Sequence, residues 1–283
     1  MIGQVVKVHS DKYFVKTNNI TYQFVARGKL KFNLEKIKVG DFVEVENGAI
    51  KKILDRKNSF IRPSVSNIDS ILIILSQTPK PDLLLTDILL ANAINQGIEV
   101  VFAINKTDLG DEVFDEIKNY YKDIGAKFFK VSALNKVGIE ELKDYLKGRL
   151  TVLAGQSAVG KTSIINALFD LDLKTGELSD KIMRGKHTTT HSEIFEFGDI
   201  KIIDSPGFYA LDSCVKLEEL PDCYPEYAER KQFCKFRECT HISEPDCQVK
   251  KDVENGVLSK ERYDRYVEIY NQLKMRRKLY EKY

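Results

Sequence analysis

Residues 155–162 read Gly-Gln-Ser-Ala-Val-Gly-Lys-Thr and fit the pattern G-x-x-x-x-G-K-[ST]. The flanks give the match its weight. A β-branched run at 151–154 precedes it, and a helical pattern over about 161–169 comes after it. A strand, a glycine loop and a helix in that order call for a mostly parallel sheet with helices on both faces. The glycines let backbone N–H groups curl around phosphate oxygens, and the helix N-terminus adds partial positive charge. Lys161 is expected to reach the β- and γ-phosphates of a nucleotide and Thr162 to ligate Mg²⁺. Gly155, Gln156, Ser157, Ala158, Val159, Gly160 and Ser163 complete this phosphate-binding set.

The phosphate loop does not name the base, but Asn105-Lys106-Thr107-Asp108 does. It ends the apolar run 99–104, on the edge of the sheet where such folds bind ligands. The Asp108 carboxylate can accept two hydrogen bonds, from guanine N1–H and N2–H₂, a pair that adenine does not offer. Asn105 can bond the base or brace the phosphate loop. Ser132-Ala133 ends the next strand, where a backbone N–H can meet guanine O6. Asp204-Ser205-Pro206-Gly207 fits D-x-x-G: Asp204 would hold Mg²⁺ through water, and the Gly207 amide would sense the γ-phosphate. Between these motifs lie Thr188, Thr189 and Thr190; one of them, Thr189 or Thr190, is expected to bind Mg²⁺ and clamp the γ-phosphate. Phe208 stands where many GTPases place a water-positioning glutamine. His187 is the nearest polar substitute, and it can orient water or contact RNA.

The order of the motifs constrains the topology. In most small GTPases the phosphate loop comes first. Here Asn105–Asp108 and Ser132-Ala133 precede it, and 188–190 and 204–207 come later in the chain. That is a circular permutation. The sheet keeps its site because these loops leave the same edge, and a linker such as 135–150 can join the old termini. The D-x-x-G segment then feeds directly into the cysteine-bearing C-terminal segment. GTP is expected to order 188–190 and 204–207 and so bias that segment, with hydrolysis releasing it.

Strand patterns at 4–8, 13–16, 21–26, 41–45 and 49–54 are separated by turn residues such as Asn18-Asn19 and Asn47-Gly48. They predict a small barrel of the OB type, which an SH3-like barrel would closely resemble in sequence. From 69 onward strands (69–76, 99–105, 127–131, 151–154, 193–197, 201–203) alternate with helices (86–96, 112–124, 138–146, 161–169). Charge divides in the same way. Residues 1–62 carry net +7, 63–212 net −6 and 213–283 net +1. A basic first module suits a polyanion, although a Lys-rich face also simply solubilises a barrel.

All five cysteines lie between 214 and 247. Cys234, Cys239, His241 and Cys247 give C-x₄-C-x-H-x₅-C, which suits one closed tetrahedral Zn²⁺ site. Cys214 and Cys223 fall outside that spacing and read as ordinary thiols. Loops are expected from 214, then an amphipathic helix over about 259–283 whose tyrosines pack on the preceding module. No apolar run exceeds five residues and the N-terminus has no leader pattern. We therefore expect a cytoplasmic monomer with no membrane partner.

Taken together, these motifs resemble the ribosome small-subunit-dependent GTPase A (RsgA) family. The likeness rests on 105–108, 155–162, Gly185-Lys186-His187-Thr188-Thr189-Thr190, 204–207 and the 234–247 cluster, and it covers nearly the whole chain. It implies an OB-fold over 1–62, a circularly permuted GTPase domain over 63–212 and a zinc module with a long helix over 213–283. It also implies GTP hydrolysis to GDP and phosphate, stimulated by the small (30S) ribosomal subunit in its late maturation, with contacts to ribosomal RNA. His187 then matches the family's proposed catalytic histidine. Ala158 replaces a usual glycine and Lys186 a usual arginine. Two other readings compete. A small-molecule kinase is disfavoured by Asn105–Asp108 and by the lack of a recognisable acceptor site. An RNA-binding protein with a merely structural nucleotide site is disfavoured by Lys161, Thr162 and Asp204.

Overall fold

The computed structural model describes residues 1–27, 36–61, 63–171, 192–204 and 215–280, and only the backbone of Asp204 and of 278–280. The first strands are β1 (Ile2–His9), β2 (Lys12–Thr17), β3 (Ile20–Ala26), β4 (Phe42–Glu46) and β5 (Ala49–Ile53). Asn18, Asn19, Asn47 and Gly48 all have positive φ, the backbone that two-residue hairpin turns require. Strand order is β1-β2-β3-β5-β4-β1, with β3 parallel to β5. That is the OB-type alternative of the two barrels. Val5, Val15, Val43 and Ile50 fill its interior.

Next come β6 (Ser70–Ser76), α1 (Leu83–Asn95), β7 (Glu99–Asn105), α2 (Glu112–Tyr120), β8 (Lys127–Lys130), α3 (Ile139–Leu146), β9 (Leu150–Ala154), α4 (Lys161–Phe169), β10 (Glu193–Phe197) and β11 (Ile200–Asp204). Their order is β10-β11-β9-β6-β7-β8, parallel except for β10 with β11. β6 is buried along its whole length. Its alternation sorts Ile71, Ile73 and Leu75 to the face covered by α1 and α2, and Leu72 and Ile74 to the face covered by α3 and α4. The expected helix over 112–124 is shorter: α2 stops at Tyr120 and a 3₁₀ turn covers Lys122–Ile124. Tyr121 leaves helical geometry at φ −119. It is fully buried, and its hydroxyl donates to Asp87 Oδ1 at 2.9 Å. The helix expected over 138–146 is α3; it lies within the 135–150 segment that joins the old termini and plants Ile139, Leu142 and Leu146 in the core.

The barrel is not a detached bead. β1 pairs antiparallel with β10 at Lys7 and Glu193, so the strands form one eleven-stranded sheet. Lys7 Nζ lies 2.6 Å from Glu193, and Lys16 pairs with Glu196 on the same strand.

Beyond residue 214 the expectation of loops is only partly met. A 3₁₀ turn (Leu220–Cys223), α5 (Pro225–Lys231) and α6 (Gln248–Glu254) occupy that stretch, followed by α7 (Lys260–Tyr280). Helices of two turns are too short for hydrophobic periodicity to betray them. Tyr266, Ile269 and Leu273 of α7 pack against Ile88 and Ala91 of α1, as the tyrosine spacing suggested.

The same seam holds a buried ionic cluster. Asp87 of α1 accepts from Arg262 through Oδ1 and from Arg265 Nε at 2.5 Å. Arg262 also donates to Glu226 of α5 and stacks over Tyr121 and Tyr224, at 4.9 and 4.7 Å from the ring centres. Removing one member strands a charge out of water, which costs about 3–5 kcal/mol. Arg262→Met is therefore expected to lower the thermal midpoint markedly and to expose 220–280 to limited proteolysis. A midpoint unchanged from the parent chain would contradict this account of the seam.

Candidate functional site

Parallel strands end together, and their C-terminal ends collect chemistry here. β7 delivers 105–108, β8 delivers 132–133 and β9 delivers the 155–160 loop, all to one sheet edge. Asn105 ties them together. It is 3% exposed. Its Nδ2 donates to the Val159 carbonyl at 2.9 Å, and its Oδ1 accepts from the Ala133 amide at 3.1 Å. Of the two roles the sequence left open for Asn105, bracing the phosphate loop is the one observed. Of the Ser132-Ala133 pair, one of whose backbone N–H groups was expected to meet a guanine oxygen, the Ala133 N–H is engaged by Asn105.

The loop's glycines answer to close approaches. Gly155 has φ +134, and a Cβ there would stand 2.3 Å from the Ile74 carbonyl oxygen. Gly160 has φ +94, and a Cβ there would stand 2.4 Å from Asn105 Nδ2. Ala158 takes φ +64, a backbone that glycine adopts more readily. A side chain there costs some strain but keeps the loop's shape. Gly160 caps α4, so the helix starts at Lys161 and aims its N-terminus into the loop. Lys161 Nζ donates to the carbonyls of Gly155 and Gln156, both at 2.8 Å. Its charge is thus stored across the loop where an anion would sit. Thr162 and Ser163 come next in the first turn of α4.

Asp108 receives the Ser132 hydroxyl on Oδ1 at 2.5 Å, which fixes the carboxylate. Lys106 adopts φ +63 and spans to the Thr78 and Ala158 carbonyls, while the Thr107 hydroxyl donates to the Val131 carbonyl at 3.0 Å. Asn105, Lys106, Asp108, Ala133 and Ser163 line a cavity of about 580 Å³. Sequence reasoning missed part of its wall. Leu134, Lys136, Asn166 and Asp170 line it too, from loop and helix-end positions that carry no motif. It also missed residues 80–82, where Gln156 accepts from the Asp82 amide at 2.6 Å and donates to the Lys80 carbonyl at 2.8 Å. Gly185, Lys186, His187, Thr188, Thr189, Thr190, Ser205, Pro206, Gly207, Phe208 and Cys214 lie outside the described residues, as does the Asp204 side chain at the end of β11.

A second cluster lies in the C-terminal unit. The ligand atoms of Cys234, Cys239, His241 and Cys247 fall within 4.8 Å of one another, so these residues could hold a metal ion. His241 Nδ1 lies 3.3 Å from Cys247 Sγ and 3.8 Å from Cys234 Sγ. Burial holds the imidazole down at about 4, so it is neutral near pH 7, the form that ligates. Burial also pushes the Cys239 thiol up to about 12. Buried thiolates would be costly without a cation between them, and the donor set fits one. His241 has φ +59, an unusual backbone for a side chain of its size that aims the ring at the sulfurs. Cys223 stands apart: buried, with its sulfur against the Glu219 carbonyl at 3.3 Å, it is an ordinary thiol.

A P-loop and a guanine-type motif that share one sheet edge in permuted chain order define a circularly permuted GTPase fold. Comparison with known proteins agrees. A family model described as RsgA GTPase matches residues 53–214, and an RsgA N-terminal domain model matches 2–52. The chain is 38% identical to the small ribosomal subunit biogenesis GTPase RsgA of Geobacillus sp. (strain WCH70), over 98% of this chain and 99% of that one. It is 40% identical to the protein of the same name from Agathobacter rectalis, over 98% and 100%. The crystal structure of YjeQ from Thermotoga maritima superposes with TM-score 0.79 at 34% identity, covering 96% of this chain and 98% of that one. That of YloQ, a circularly permuted GTPase, superposes with TM-score 0.75 at 30% identity, covering 97% and 95%. The chain belongs to the RsgA GTPase family.

Elemental analysis of the purified chain is expected to find about one tightly held divalent metal per molecule. Cys247→Ser should lose that metal and, with it, protection of 220–254 from hydrogen exchange. Full metal content in the variant would contradict the assigned ligand set.

Proposed function

We propose that this chain hydrolyses GTP to GDP and phosphate on the small (30S) ribosomal subunit, late in that subunit's maturation, and that the subunit's RNA surface speeds the reaction. The observation that carries the proposal is the convergence of 105–108, 132–133 and 155–162 on one sheet edge, braced by Asn105. Relatives that match along nearly their whole length are named small ribosomal subunit biogenesis GTPases.

In this reading Asp108 accepts from guanine N1–H and N2–H₂ while Lys106 and Thr107 hold its loop, and Ser132 and Ala133 border the base. The loop amides of Gly155, Gln156, Ser157, Ala158, Val159 and Gly160 and the first turn of α4 through Ser163 cradle the phosphates. Lys161 exchanges its two carbonyl partners for phosphate oxygens. Thr162 and Asp204 would hold Mg²⁺, Thr189 or Thr190 would complete the clamp, and the Gly207 amide would sense the γ-phosphate. Bound there, Mg²⁺ would supply positive charge against the phosphate oxygens. His187 orients the attacking water.

Cys234, Cys239, His241 and Cys247 would hold a structural Zn²⁺. The division into an RNA-binding barrel (1–62), a GTPase domain (63–212) and a zinc-binding unit (213–283) belongs to the same proposal. The basic barrel docks on ribosomal RNA. Among the described residues no helix is long and apolar enough to cross a membrane. A cytoplasmic monomer is the form proposed to act.

The test is GTP turnover by the purified chain, alone and with purified small subunits, at two salt concentrations. Strong stimulation that fades with salt is expected, because phosphate contacts release counterions. Turnover indifferent to the subunit would overturn the ribosomal part of the proposal.

A further inference from the structure

We propose that Lys136 and Asp170 form a latch across the mouth of the base cavity, and that this ion pair sets how long a guanine nucleotide stays bound. The proposal rests on the guanine reading above and adds two residues that lie in none of the motifs.

Lys136 Nζ lies 2.5 Å from Asp170 Oδ1. The two residues come from different walls of the same cavity, Lys136 from the loop after β8 and Asp170 from the C-terminal cap of α4. Asn105, at the inner end, is 3% exposed, whereas the side chains of Lys136 and Asp170 are 64% and 73% exposed. The pair therefore lies at the solvent rim. Ser163, Asn166 and Asp170 recur at helical spacing and all line the cavity, so one face of α4 runs along it. That helix starts at Lys161, beside the phosphate loop. The latch joins its far end to the loop beside the base.

The aim of the two side chains is built into the backbone. Ser132 and Val137 exchange backbone hydrogen bonds of 3.0 and 3.1 Å, which closes the 132–137 loop on itself. Within it Lys136 takes φ +56, and across the mouth Asp170 takes φ +50. Both are left-handed conformations that side chains other than glycine adopt sparingly. Such positions gather where a fold directs side chains to a task. Leu134, from the same loop, lines the cavity and is 81% exposed. It offers an apolar cover to one face of a purine, and the latch then closes over the rim beside it.

An exposed ion pair shifts an equilibrium by only about two- to five-fold. Such a difference appears mainly in the dissociation rate. The experiment is stopped-flow release of a fluorescent GDP analogue, chased with unlabelled GDP. It compares the parent chain with Lys136→Ala, Asp170→Ala, the double variant and the exchanged pair Lys136→Asp with Asp170→Lys. Each single variant is expected to release the nucleotide about two- to five-fold faster. The double variant should be no faster than the singles, and the exchanged pair should recover most of the loss. Added salt should quicken release from the parent but not from the double variant. Guanine-specific binding with equal release rates in all forms would overturn the latch alone, as would single effects that simply multiply. Displacement of the probe by ADP as readily as by GDP would overturn the guanine reading, and the latch with it.

Discussion

One buried amide holds the site together. Asn105 sits at the end of a central parallel strand with its carboxamide donating to the phosphate loop and accepting from the loop after the next strand. Neither partner can be left unpaired cheaply, since a buried, unsatisfied backbone group costs about 1–3 kcal/mol. The geometry leaves no slack elsewhere: any side chain on Gly160 would collide with the Asn105 amide. The 155–160, 105–108 and 132–137 loops are therefore placed as one body. Circular permutation can reorder the chain because this bracing acts through space and is indifferent to which segment comes first.

The sheet that bears the site is joined to both flanking units. On one side β10 pairs with β1, so the barrel continues the sheet and is pinned by Lys7–Glu193 and Lys16–Glu196. On one face of the sheet α1 carries Asp87 into the grip of Arg262 and Arg265. The helix that receives this clamp begins just after residues 80–82, which Gln156 of the phosphate loop engages through both ends of its amide. Charged groups that would be costly singly are tolerated in such a closed set because each finds an opposite partner. The barrel and the C-terminal unit are thus each fastened to the sheet that bears the site, by polar contacts rather than by apolar burial alone.

Much of this was legible in the sequence. The strand and helix alternation, the OB-type or SH3-like barrel and the permuted motif order come from periodicity and from residues whose chemistry has few other uses, such as Gly155, Lys161, Asp108 and the Cys234–Cys247 spacing. The OB-type barrel was the form expected and the form found, although the pairing that separates it from an SH3-like barrel, β3 parallel to β5, is long-range and leaves no local trace. α5 and α6 were invisible because two turns give no periodic signal. The rim of the base cavity was equally hidden. Lys136 and Asp170 are a lysine and an aspartate among many, and only the folded loop brings them together. Asp87 lies in no motif, and the partner that gives it a role, Arg262, lies 175 residues away.

The central claim is that the permuted loops rebuild a guanine-reading site around Asp108. Titration calorimetry of GDP and xanthosine diphosphate into the parent chain and Asp108→Asn tests it most directly. Xanthine carries an oxygen where guanine carries its 2-amino group, so an amide at 108 should complement xanthine as the carboxylate complements guanine. The parent should prefer GDP strongly, and the variant should reverse that preference. A variant that keeps the parent's affinity for GDP would show that Asp108 does not read the base, and the account of this site would fail.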